Sequence, residues 1–104
     1  MANLTEEEFS KHVGTEFYAR SGEGEAKLTL AEVKGYTSDA TEEQNLERFS
    51  VFFVGPADSF VSQQIIQMRH ETMGEFDLFL VPIKNDANGF RYEAVFNYYK
   101  KSDA

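Results

Sequence analysis

The chain has 104 residues, a net charge of −8 from 18 acidic and 10 basic side chains, 14% aromatic residues and no cysteine. That is the length of one domain, able to bury about two-thirds of its unfolded surface without a metal or disulfide. Lack of cysteine excludes disulfide frameworks, cysteine-based zinc sites and thiol nucleophiles, and an acidic chain with scattered bases lacks the footprint of a nucleic-acid or anionic-membrane binder.

Ten Phe and five Tyr argue against disorder and favour strands. The acidity is uneven, with eleven acids against five bases over residues 1–48 and seven against five over 49–104. Its plain reading is solubility. No stretch approaches the roughly 20 apolar residues of a membrane span. Met1–Thr5 leads directly into Glu6–Glu8 with no apolar leader, so the expected location is the cytoplasm.

Leu4-Thr5-Glu6-Glu7-Glu8-Phe9 is a helix start. Thr5 and Glu8 have capping-box spacing, Leu4 and Phe9 that of a hydrophobic staple, and three acids suit the positive end of the helix dipole. The helix is expected over residues 5–13, ended by Gly14, with Leu4, Phe9 and Val13 as its buried stripe. Too short to stand alone, it must lie on the sheet or plug one end.

Glu16–Arg20 reads as a first strand with Phe17 and Ala19 inward, and Ser21–Glu25 as a turn. Ala26–Val33 is a second strand with Leu28 and Leu30 inward; Gly35 marks a bulge or strand end. Residues 37–48 read as a long acidic loop. Phe49–Val54 is a third strand, apolar on both faces except at Ser50, followed by a Gly55-Pro56 turn and a helical turn capped by Asp58 or Ser59.

Ile65–His70 is a fourth strand, with Ile66 and Met68 on one face, and Glu71–Gly74 a short hairpin loop. Glu75–Ile83 is a fifth, with Phe76, Leu78 and Leu80 on one face and Phe79, Val81 and Ile83 on the other. Such a run is expected to be covered on both sides. Pro82 cannot donate a ladder hydrogen bond, so the strand is bulged, ending or unpaired there. Phe90–Tyr98 is a sixth, with Phe90, Tyr92, Ala94 and Phe96 inward. The expected fold is mainly β: a six-stranded antiparallel meander forming a small barrel or sandwich, with a short N-terminal helix, as one domain over residues 1–104.

Few residues carry chemistry. His70 beside Glu71 and near Glu75 has the residue types of a general base with carboxylate neighbours, which suits a small hydrolase. The plainer reading is that His70 caps the hairpin loop, since no second histidine or oriented nucleophile lies nearby in sequence. His12 reads as a solvated helix residue. Asn85–Gly89 resembles part of a calcium loop but has Lys84 where the first acid belongs, so a hairpin turn is expected. Ser21–Glu25 has the glycines of a phosphate cradle, but its glutamates would repel phosphate. No cofactor and no metal site is expected. Tyr98 and Tyr99 close the last strand, where an outward aromatic suits a partner; Phe79 is a third candidate contact.

The series Phe49–Pro56, His70–Gly74, Phe76–Pro82 and Tyr92–Asn97 resembles a bacterial family of about hundred-residue domains of unknown function. The resemblance implies no activity, and it implies association with phage-tail-like or other multiprotein assemblies. The resulting expectation is a non-catalytic interaction or assembly module with a protein partner or self-association. The alternatives are the hydrolase and a barrel that binds a small ligand, for which a Phe-rich interior leaves little room.

Overall fold

The computed structural model describes residues 4–21, 24–36, 46–55, 64–86 and 89–99. One short helix, α1 (Glu6–Ser10), precedes six strands: β1 (Glu16–Ser21), β2 (Gly24–Gly35), β3 (Leu46–Gly55), β4 (Gln64–His70), β5 (Gly74–Asp86) and β6 (Gly89–Tyr99). All six pair antiparallel and close into a barrel in the order β1-β2-β3-β6-β5-β4. Of the two expected architectures, the barrel forms. Closure removes the free sheet edges that a sandwich would leave.

Strand order departs from sequence order at two places. β3 pairs with β6 from Leu46↔Tyr99 to Gly55↔Phe90, not with β4. Among the described residues, β1 meets β4 through Tyr18↔Arg69 and Ala19↔Met68 alone. The barrel is therefore two three-stranded meanders, joined by a long seam and a short one. β6, the most regular alternation in the sequence, matches β3 from Phe90 to Tyr99. Leu46–Arg48, at the end of the expected acidic loop, are strand residues; residues 37–45 and the expected helical turn after Asp58 lie outside the described residues.

Period-two patterning places the core as the sequence reads. Phe17, Ala19, Leu28, Leu30, Phe49, Val51, Phe53, Met68, Leu80 and Tyr92 have no exposed surface, and Ile66, Leu78 and Ala94 almost none. Large side chains fill the interior of a narrow barrel. Gly35 ends β2, while the β2 bulge lies between Leu30 and Glu32. Pro82 sits at a second bulge, where the β5–β6 register shifts between Pro82 and Lys84. The missing N–H is accommodated where the ladder is already interrupted.

The expectation that β5 is covered on both faces is corrected. Phe79 is 50% and Ile83 45% exposed on its outer face. The helix does not cover them, because it packs against β2 and β3 at one barrel end. β3, also apolar on both faces, is treated differently: the Arg91 guanidinium lies 4.8 Å from the centre of the Phe52 ring, and Ser50 donates to Glu93 at 2.7 Å.

Thr5 caps α1 by accepting from the Glu8 N–H at 3.1 Å. The helix is shorter than expected. Beyond Ser10 the chain turns, Gly14 adopts φ +90° and its N–H donates to the Leu30 carbonyl at 2.7 Å. That turn leaves Val13 47% exposed, so of the expected stripe Phe9 is buried, Leu4 partly buried and Val13 exposed. The Phe9 ring closes the barrel end among Phe17, Phe49, Phe76 and Phe96, at centroid distances of 5.5 to 6.3 Å.

Candidate functional site

Two regions hold the residues singled out from the sequence. The first is the helix-plugged mouth, where β4 ends at His70. His70 is 4% exposed, and its Nδ1 accepts backbone N–H bonds from Thr72 at 3.0 Å and Met73 at 3.1 Å. A ring nitrogen that accepts carries no proton, so the neutral ring has its hydrogen on Nε2. Nε2 lies 3.0 Å from Thr15 Oγ1. The Thr15 hydroxyl donates to the His12 carbonyl at 2.6 Å, leaving a lone pair for the His70 Nε2–H. His70 thus caps the β4–β5 turn on one side and holds the α1–β1 joint on the other.

The structure separates the two carboxylates named with it. Glu71 stands in the turn and lines the same cleft, of about 350 Å³, with His12, Thr15, Glu16, Tyr18 and Thr72. Glu75 pairs with Arg69 on the outer face of the β4–β5 hairpin, while His70 points inward. It lines a different cleft with Arg20, Gly24, Glu25, Gln67 and Arg69. Burial, first, and the His12 charge, second, push the His70 pKa below its ordinary value; Glu71 opposes them weakly. Both ring nitrogens are engaged, so this geometry offers His70 no free lone pair for general-base work.

His12 is not the solvated residue expected. Its ring centroid is 4.6 Å from that of His70, and its Nε2 is buried without a hydrogen-bond partner, with Glu8 Oε1 at 3.7 Å. No motif spacing links His12, Thr15 and His70, which lie 55 residues apart across the Thr15–His70 contact. Their meeting is a product of barrel closure.

The second region is the outer face of β4, β5 and β6. Ile65 is 70%, Val95 66%, Phe79 50% and Ile83 45% exposed. Ile65 and Phe79 are directly opposite across β4 and β5, and Phe79 and Val95 each lie two residues beyond the Val81↔Glu93 pair on their own strands. Of the three candidate contacts, Phe79 belongs to this face.

Tyr98 does not. It is half-buried against the core, and its hydroxyl lies 2.9 Å from the Leu4 carbonyl and 3.0 Å from Glu47 Oε2. Glu47 Oε1 in turn accepts the Glu6 N–H at 3.0 Å, so the pair ties β3 and β6 to the start of α1. Burial first, then Glu47, push the Tyr98 pKa up to about 12. The Tyr99 backbone pairs with Leu46; its side chain lies outside the described residues.

The family model for a domain of unknown function, DUF6916, matches residues 4–96. The chain belongs to this family. No curated protein and no solved structure matches it. The matched span of the DUF6916 domain takes in α1 and all six strands up to Phe96, and so includes both regions described above. Among its described residues no helix is long and apolar enough to cross a membrane, and no group of three His, Cys, Asp or Glu side chains could hold a metal ion.

Proposed function

We propose that this domain is a non-catalytic interaction module that docks a protein partner on the outer face of β4, β5 and β6. The observation that supports the reading is the exposure of Ile65, Phe79, Ile83 and Val95 on a barrel whose interior is already full. Fully burying an apolar side chain of this size stabilises a complex by about 1.5–3 kcal/mol, so a partner gains several kcal/mol from this face. Large apolar side chains grouped on a folded surface mark contact sites more often than single ones do. The setting is a larger assembly, of the phage-tail-like or other multiprotein kind that the resemblance implies. A cysteine-free chain suits the reducing cytoplasm.

Light scattering on the purified domain, together with capture of partners from the native host, tests the reading. Wild type should form a complex with itself or with a recovered protein, and Phe79→Glu should lose it at least tenfold. A strict monomer that recovers no partner counts against the proposal, as does a complex indifferent to Phe79→Glu.

A further inference from the structure

We propose that His70 is an acid-sensitive latch that holds α1 over the mouth of the barrel and releases it when its imidazole takes up a second proton. The inference is independent of the outer-face reading, because it concerns the opposite surface of the strands and a different readout.

The latch follows from where the protons must go. His70 Nδ1 accepts two backbone N–H groups, from Thr72 and Met73. Protonating that nitrogen replaces an acceptor with a third donor, so both bonds are lost together and two N–H groups of the turn lose their partner. The same ring holds Thr15 through Nε2, and Thr15 holds the His12 carbonyl. The His12 ring lies 4.6 Å away, and its charge opposes a second proton on His70. Loss of these contacts frees the segment between Phe9 and Glu16, whose described backbone ties to β2 ahead of the β1–β2 ladder are Gly14 N–H to Leu30 O and Leu30 N–H to Thr15 O. Release of α1 then exposes the aromatic cluster around Phe9.

The charged surroundings set the balance. From α1 and the turn after it, Glu8 faces His12, with Lys11 drawn to Glu8 at 3.5 Å. From β1, Glu16 and Tyr18 line the cleft, and Glu16 is engaged by Lys27 of β2 at 3.1 Å. From the β4–β5 turn comes Glu71. Of these, Glu71 raises the pKa of His70, but burial and His12 outweigh it. A depressed pKa in the folded state means that this contribution to stability is complete above the ordinary histidine value of about 6.5 and is lost as pH falls through the depressed one.

Amide hydrogen exchange, corrected for its intrinsic pH dependence, tests the latch on the full chain and on His70→Asn at about pH 7.5 and about pH 5. Asparagine is the discriminating replacement, since its side-chain oxygen accepts backbone N–H bonds two and three residues ahead and does not titrate. Wild type should lose at least tenfold protection over residues 5–15 and 71–73 on acidification, while His70→Asn should hold it. Equal loss in both proteins, or none in wild type, overturns the proposal. Should His70→Asn fail to fold, imidazole nitrogen NMR on wild type decides instead. Titration of His70 in step with loss of α1 protection supports the latch, and titration with α1 still protected overturns it.

Discussion

Gly55 shows how closely the interior is filled. It is buried at the end of β3 opposite Phe90, and a Cβ there would meet Leu28 Cδ2 at 2.5 Å and Tyr92 Cε2 at 3.4 Å. Leu28 is fully buried and has little room to retreat. Gly55→Ala should therefore lower stability by about 1–3 kcal/mol, the range for overpacking. Chemical denaturation of Gly55→Ala, Leu28→Ala and the double variant should show coupling between the two sites; strict additivity would deny the contact. From sequence, Gly55 reads only as the first residue of a turn with Pro56. Its inward position depends on a side chain 27 residues earlier. Tyr98 makes the same point with a polar group. Tyr98→Phe removes the donor to Leu4 and Glu47 and should cost about 1–3 kcal/mol, because the acceptors stay partly buried. The protein should also lose stability with alkali: the neutral phenol is favoured by folding, so its contribution holds below the ordinary tyrosine value of about 10. It is lost as pH rises towards the folded value of about 12. Phenolate absorbance against pH should show a late-ionising component in wild type that Tyr98→Phe lacks.

Among the elements, α1 depends most on its surroundings. Five helical residues cannot persist alone, so its stability comes from the Thr5 cap, the Glu47 and Tyr98 anchors, Phe9, and the His70–Thr15 hold on the turn after it. The start was legible in sequence because caps and staples are local; the end was not, because Gly14 turns the chain towards Leu30 and sends Val13 outward. Phe9→Ala should cost about 3–5 kcal/mol, as expected for a buried aromatic. Thr5→Ala, which removes one cap bond, should cost about 1 kcal/mol. Equilibrium denaturation ranks the two, and a Phe9→Ala loss as small as that of the cap would mean that α1 is not part of the core.

For the molecule as a whole, interior and outer face make separate demands. Phe79→Glu places a charge where the side chain is half exposed and leaves the barrel contents untouched. Its unfolding free energy should stay within about 0.5 kcal/mol of wild type. A large loss would show that Phe79 supports the fold and would weaken its assignment to a docking face. The closure that creates this face also creates the His12–His70 contact, because β4 must come round to β1 before the two rings meet.

What the sequence determined by itself was the set of strands and, for most of them, the inward residues: Phe17 and Ala19, Leu28 and Leu30, Ile66 and Met68, Tyr92 and Ala94. Side-chain alternation is a property of each strand alone, so it survives in any packing. Only the tertiary structure decided that β3 pairs with β6, that β1 meets β4, and that Leu78 and Leu80 rather than Phe79 and Ile83 face the core. Both faces of β5 are apolar, so composition cannot choose between them. The direction in which the sheet curls to close does so.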